Sequence, residues 1–234
     1  MKYLISGGAG FIGSSIVERI LSLGDEVRVL DNFSTGREEN FSDIKDDIEL
    51  IRGDLRDFET VKSAVAGVDY VLYQRALPSV PRSIADPITT ADVNTGGTLN
   101  ILKASLDAGV KRVVAASSSS IYGNSPTLPK VEDMVMNPLS PYAVPKMAAE
   151  NAAGEMFHIG YGENHILLSL VENINRILGS SIEPIFGETR QGDVKHSLAD
   201  ISKARAILGY KPSVSFAEGL KIYFETEENI PVAQ

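Results

Sequence analysis

The stretch ISGGAGFIG, Ile5–Gly13, decides the fold: a short apolar run ends in glycines at 7, 10 and 13 and passes at once into helical periodicity. Gly7 permits a tight turn, Gly10 lets a phosphate approach the backbone, and Gly13 allows close helix–strand packing. The N–H groups opening the next helix would then face the phosphate charge. Outward from this loop, KYLIS, EVRVL, IELIR, DYVLY and RVVAAS read as buried strands. Amphipathic stretches at Phe11–Leu23, Phe58–Val65 and Val93–Ala108 read as helices between them. Such alternation predicts a parallel sheet with helices on both faces. The strand runs lack a polar face, as expected for strands covered on both sides.

Strand two ends in Asp31, eighteen residues after Gly13. A carboxylate there can accept both ribose hydroxyls of NAD and would repel the extra phosphate of NADP. The fold expected is α/β, a Rossmann-type doubly wound parallel sheet with a small C-terminal substrate-binding region, and NAD is the cofactor expected. DNFSTG (Asp31–Gly36) adds side-chain donors beyond the acid. In GDLRD (Gly53–Asp57), Asp54 either reaches the adenine amino group or caps the next helix, and both readings are compatible.

The chain has 234 residues, 43% hydrophobic and 23% charged, enough for one large domain or one domain with a small appendage. With no cysteine, disulfides, thiolate metal sites and a Cys nucleophile are excluded, and no metal is expected. A net charge of −9 argues against nucleic acid as a partner, while placed arginines can still hold a small anion. The opening MKYLIS is too short an apolar run for a secretory leader, and no segment is apolar for long enough to span a bilayer. A cytoplasmic protein is expected. Beyond residue 150 the pattern changes. EMFHIG reads as one more strand, Leu167–Leu178 as a helix, and RQGDVKHSLADISKARAILGY as a loop and a helix stopping near Gly209. SFAEGLKIYFETEE is a last helix capped by Ser215, with Glu218 completing a capping box. The division expected is residues 1–150 as an NAD-binding domain and 151–234 as a substrate-binding region packed on it.

Strand five runs into SSSSIYG, Ser117–Gly123, at the carboxyl end of a parallel strand, where ligands bind in such sheets. Downstream, SPYAVPK places Tyr142 four residues before Lys146, one helical turn. A nearby ammonium favours the phenolate and makes a tyrosine a general base, and a serine hydroxyl can hold phenolate and substrate in line.

GGAGFIG, DNFSTG, GDLRD, LPSVPRSIADP, SSSSIYG, SPYAVPK and RQGDVKHSLADISKA, in this order, resemble extended short-chain dehydrogenases/reductases. The resemblance is nearest to the nucleotide-sugar 4-epimerases acting on UDP-glucose or UDP-N-acetylglucosamine. It implies a homodimer with NAD as a bound, regenerated cofactor. Tyr142 would take the proton from the sugar 4-hydroxyl as hydride passes from C4 to NAD, and the 4-keto sugar would turn over and take hydride back on its other face. Lys146 would hold the nicotinamide ribose, and Ser118 would assist Tyr142. The resemblance assigns the cofactor to Gly7, Gly10, Phe11, Ile12, Gly13, Asp31, Asn32, Ser34, Thr35, Gly36, Asp54, Leu55, Ala76 and Lys146. It assigns the substrate to Ser79, Ser118, Ser119, Tyr142, Arg190 and Asp193. Arg190 suits the diphosphate charge. Asn94, opening a helix, serves either architecture or the cofactor side. Related 4,6-dehydratases carry an acidic pair within the serine run, where this chain has only hydroxyls at Ser118–Ser120. Another nucleotide-sugar oxidoreductase, or a catalytically impaired NAD-binding relative, are the alternatives.

Four departures accompany the resemblance. Tyr73 replaces a usual histidine, and Arg75 stands where alanine is usual, either crowding NAD or turning outward. Pro145 falls between Tyr142 and Lys146 and, if Ser140 caps the helix, removes the bond to the Pro141 carbonyl. Several tens of residues that relatives place after the Tyr–Lys helix, including a sheet strand, are absent between Glu150 and Asn151. Either the sequence omits a segment or the chain is a deleted relative.

Overall fold

The computed structural model describes residues 1–74, 76–77, 79–152, 154–188, 194 and 196–226. Five strands form a single sheet: β1 (Lys2–Ser6), β2 (Glu26–Asp31), β3 (Ile48–Arg52), β4 (Tyr70–Tyr73) and β5 (Arg112–Ala115). Their order is β3-β2-β1-β4-β5, and every neighbouring pair is parallel. Ile5 lies across from Val29 on one side and Leu72 on the other. The side-chain period of two then sends alternate residues to opposite faces. Leu4, Leu30 and Val71 pack with Val61, Ala64 and Val65 of α2 (Phe58–Val65) and with Ile101 and Ala104 of α5 (Gly97–Asp107). Ile5, Val27 and Val29 pack on the other face with Val17 and Ile20 of α1 (Phe11–Ser22). Each such fully buried aliphatic side chain contributes about 1.5–3 kcal/mol.

Strand order reverses between β1 and β4, and the loops at their carboxyl ends open on the crevice that results. Local chemistry sets the helix starts. Asp57 accepts the Glu59 and Thr60 N–H groups at 3.1 and 3.4 Å and so caps α2. Ser79 caps α3 (Val80–Ala85) and Asp86 caps α4 (Pro87–Ala91), each with a proline in the first turn. The single helix expected over Val93–Ala108 is instead a continuous run of α4, one π-helical turn at Asp92–Gly96, and α5. Asn94 therefore lies inside a π turn and does not open a helix. The extra residue of the turn lets Asn94 Oδ1 accept the Leu77 N–H at 2.9 Å, while its carbonyl accepts Thr98 Oγ1 at 2.6 Å.

The chain divides into two compact units. The first joins Met1–Ile121 to Pro138–Gly154 and holds the sheet and α6 (Ala143–Ala152), which runs on through Glu150 and Asn151. The second joins Tyr122–Asn137 to Glu155–Gln234. It holds α7 (Leu167–Leu178), α8 (Ser202–Leu208) and α9 (Phe216–Thr226). Gly179 and Gly209, at φ +63° and +65°, close α7 and α8 in the left-handed conformation. Ser215 Oγ accepts the Glu218 N–H at 3.2 Å and caps α9. The strand expected at EMFHIG is not formed: residues 155–160 pair with no strand among the described residues. Side chains take the backbone groups a ladder would need. Glu132 accepts the His158 N–H at 2.7 Å, and Lys203 Nζ donates to the Met156 carbonyl at 2.8 Å.

Candidate active site

The glycine loop is built by close approach. Gly7 has φ +74°, a conformation that costs side-chain-bearing residues, and its N–H donates to the Leu30 carbonyl at 3.0 Å. A Cβ on Gly13 would fall on the Gly7 carbonyl, so Gly13 serves contact with the loop itself. A Cβ on Gly36 would come within 2.7 Å of Ala9, against which the 32–40 segment closes through Asn40 Nδ2 and the Arg37 N–H on the Ala9 carbonyl. Gly10 caps α1 without any side-chain hydrogen bond, and no acidic residue occupies the first turn. Phe11 and Ile12 stand 69% and 62% exposed there. A first turn left without side-chain caps or carboxylates suits a phosphate.

The carboxylates beside the loop are busier than the sequence suggests. Asp31 is 3% exposed, and its oxygens accept the Ala9 and Phe33 N–H groups at 3.1 and 2.8 Å. Asn32 spans two partners, accepting the Ser34 N–H and donating to Asp54 Oδ2 at 3.0 Å. Ser34 and Thr35 are exposed at the rim. Asp54 grips the Arg56 guanidinium through both oxygens, at 3.0 and 2.8 Å, and that guanidinium holds its carboxyl well below the usual carboxylate range. The cap considered for Asp54 is thus supplied by Asp57, three residues later. Leu55 is buried in the core, with Asn100 Nδ2 on its carbonyl at 2.8 Å.

Past β4, Tyr73 is buried and its hydroxyl lies 3.1 Å from Thr98 Oγ1, whose proton goes to the Asn94 carbonyl, which is a packing role. Ala76 is half-buried, and Ser79 accepts the Arg82 N–H at 3.2 Å. Arg75, Arg190 and Asp193 lie outside the described residues. Asn94 is 3% exposed, and its Nδ2 is buried without an acceptor among the described residues. A buried amide left unsatisfied costs about 1–3 kcal/mol, which a ligand acceptor or water would recover. This signal was available only weakly in the sequence, because nothing in it marks a π turn, a feature frequent at functional sites.

Beyond β5, Ser118 Oγ accepts Ser120 N and Oγ at 3.3 and 2.9 Å within the helical turn Ser119–Tyr122, and Ser119 is exposed. Tyr142 sits half-buried in the turn just ahead of α6. Ser140 caps that start: its Oγ accepts the Ala143 N–H and its carbonyl the Val144 N–H, each at 3.2 Å. Pro145 has no N–H to give the Pro141 carbonyl, so regular helix begins only at Ala143. Lys146, 5% exposed, donates from Nζ to the Ala116 carbonyl at 2.6 Å, tying α6 to the chain two residues before Ser118. Burial pushes its pKa down from 10.5 to about 8, against a smaller upward pull from Glu150. Since α6 also packs on the π turn, Asn94, Lys146 and the serine turn converge at the carboxyl end of the sheet. The glycine cradle, the open α1 terminus and the orphaned Asn94 amide together fit a dinucleotide.

A sequence profile described as the NAD dependent epimerase/dehydratase family matches residues 3–162. A UDP-glucose 4-epimerase from Mycolicibacterium smegmatis is 29% identical over 301 aligned positions, covering 94% of this chain and 96% of that protein. Among solved structures, a Thermus thermophilus UDP-glucose 4-epimerase in complex with NAD is 27% identical, with a TM-score of 0.89 over 98% of this chain and 100% of that one. A dTDP-glucose 4,6-dehydratase from Streptomyces venezuelae with NAD bound is 25% identical, with a TM-score of 0.89 over 97% of each chain.

Proposed function

The chain belongs to the NAD dependent epimerase/dehydratase family, and from that premise we propose that it interconverts the C4 configurations of a UDP-hexose, either the glucose/galactose pair or its N-acetylated counterpart. It is an enzyme of the epimerase/dehydratase kind, with NAD as the cofactor. The observation that carries the epimerase reading is the tie between Lys146 and the Ala116 carbonyl. It sets the Tyr142–Lys146 turn beside a serine turn that holds hydroxyls and no carboxylate at Ser118–Ser120. Epimerisation needs one group to take and return the 4-hydroxyl proton, whereas loss of water asks for further acid–base groups.

Bound NAD supplies the acceptor and donor of the C4 hydride. Gly7, Gly10, Gly13 and the first turn of α1 hold the pyrophosphate, and Asp31, Asn32, Ser34, Thr35 and Gly36 the adenosine ribose. Asp54, Leu55 and Ala76 border the adenine and the path beyond it. Tyr142 removes the proton from the sugar 4-hydroxyl, Ser118 keeps that hydroxyl in line, and Lys146 anchors the nicotinamide ribose while stabilising the phenolate. Ser79 and Ser119 border the sugar, and Arg190 and Asp193 take the UDP moiety. Residues 1–150 thus hold NAD and the catalytic groups, and 151–234 add Arg190 and Asp193 to the nucleotide-sugar site. The similar dehydratase makes loss of water the second reading, disfavoured by the missing carboxylates of the serine turn.

The test is incubation with UDP-glucose and, separately, UDP-N-acetylglucosamine, with the product sugars resolved. A C4 epimer from either is expected. No epimer from either while NAD is bound would overturn the proposal, and a 4-keto-6-deoxy product would favour dehydration. Tyr142→Phe is expected to lower turnover by about 100-fold or more while sparing NAD binding.

A further inference from the structure

Resting on the reading that Ser118 assists Tyr142, we propose that His158 is a positioning residue for the serine turn, acting through the Tyr122 hydroxyl. Tyr122 closes the turn Ser119–Tyr122 and is 1% exposed. Its hydroxyl oxygen lies 2.8 Å from His158 Nε2, and the two rings meet edge to face with centroids 5.5 Å apart. His158 Nδ1 lies 3.0 Å from the Lys130 carbonyl oxygen. A carbonyl only accepts, so Nδ1 carries the proton. Nε2 is left to share a hydrogen bond with the Tyr122 hydroxyl, which joins the ring to the end of the turn.

The imidazole is itself fixed from two sides. The His158 N–H donates to Glu132 Oε1 at 2.7 Å, locking the backbone from which the ring projects. The Lys130 carbonyl also accepts the Asp200 N–H at 2.8 Å, and the Lys130 N–H donates to the Leu198 carbonyl at 2.7 Å. The imidazole that meets Tyr122 therefore rests on a paired backbone and not on a loose loop. At the other end of the same turn, the Ser118 carbonyl accepts the Ile121 N–H at 3.2 Å, and Ser118 Oγ accepts from Ser120. The directions of the serine hydroxyls follow from where the turn ends, and Tyr122 fixes that end. A hydroxyl that aligns substrate with base tolerates little displacement, so the anchor is felt in kcat.

Three variants test this. His158→Leu removes the partner of the Tyr122 hydroxyl, Tyr122→Phe removes the hydroxyl while keeping the ring, and His158→Gln keeps a polar amide that can bond to it. The first two are expected to lower kcat by about 10- to 100-fold. KM for the UDP-sugar and affinity for NAD should stay near wild type, and His158→Gln should recover most of the loss. Hydrogen exchange of residues 117–123 should quicken in His158→Leu and Tyr122→Phe but not in His158→Gln. Wild-type kcat and exchange in Tyr122→Phe would overturn the proposal, as would a His158→Gln enzyme no better than His158→Leu. A lowered Tm with exchange at 117–123 unchanged would likewise overturn it, leaving a packing role alone. If the wild-type chain turns over no UDP-hexose, the epimerase reading fails by itself, and the exchange of residues 117–123 still decides whether His158 anchors the turn.

Discussion

Burial holds Lys146 at a pKa of about 8, below its ordinary 10.5, so the unfolded chain binds that proton more tightly than the folded one. The penalty is full below about pH 8 and fades as pH rises from 8 towards 10.5. A lysine retained at such a cost points to use of its charge. Lys146→Met removes the penalty and leaves the Ala116 carbonyl without its donor, two effects that oppose each other. The net expectation is a gain of about 1–2 kcal/mol at pH 7 with turnover lost. Thermal melts should show the gain over wild type shrinking between pH 8 and pH 10, and no gain at pH 7 would count against the desolvated ammonium. The Tyr–Lys pair was legible in the sequence because its spacing is local. Asn94 was singled out but placed at a helix start instead of in a π turn, and His158 was missed because its role depends on a partner 36 positions earlier, Tyr122.

At the scale of elements, periodicity located α2 and α7 to the residue, because their apolar stripes and end signals agree. EMFHIG reads as a short apolar run, but no strand forms there, and Glu132 and Lys203 take two of its backbone groups. Pro145 illustrates how an element absorbs a local conflict. The bond it forfeits lies near the start of α6, and Ser140 covers that start with both its hydroxyl and its carbonyl. With one bond already gone, the cap matters more than usual. Ser140→Ala is expected to lower stability by about 1–2 kcal/mol, at the upper end for a lost cap. It should also reduce kcat, because Tyr142 lies between the cap and the helix. A denaturant titration and initial rates check the two effects, and a neutral result in both would detach Tyr142 from its cap.

For the whole molecule, the glycine loop, the alternation and Asp31 were enough to infer a parallel sheet, and its five strands follow the order β3-β2-β1-β4-β5. What single-sequence reasoning could not supply was the company of β5. Among the described residues that strand ends the sheet, and Val114 on it is 49% exposed. The Mycolicibacterium relative aligns over 301 positions against the 234 residues here. The difference in length is what the expectation of a missing segment requires, without placing it along the chain. The hydride and proton transfers proposed use NAD and the Tyr142, Lys146 and Ser118 side chains, together with a UDP-sugar to act on. The most direct measurement is turnover of UDP-glucose bearing deuterium at C4, followed by analysis of the sugar formed. The C4 epimer keeping the deuterium at C4, from this substrate or from equally labelled UDP-N-acetylglucosamine, is the result predicted. Deuterium lost to water, or recovered in a dehydrated 4-keto sugar, would contradict epimerisation at C4.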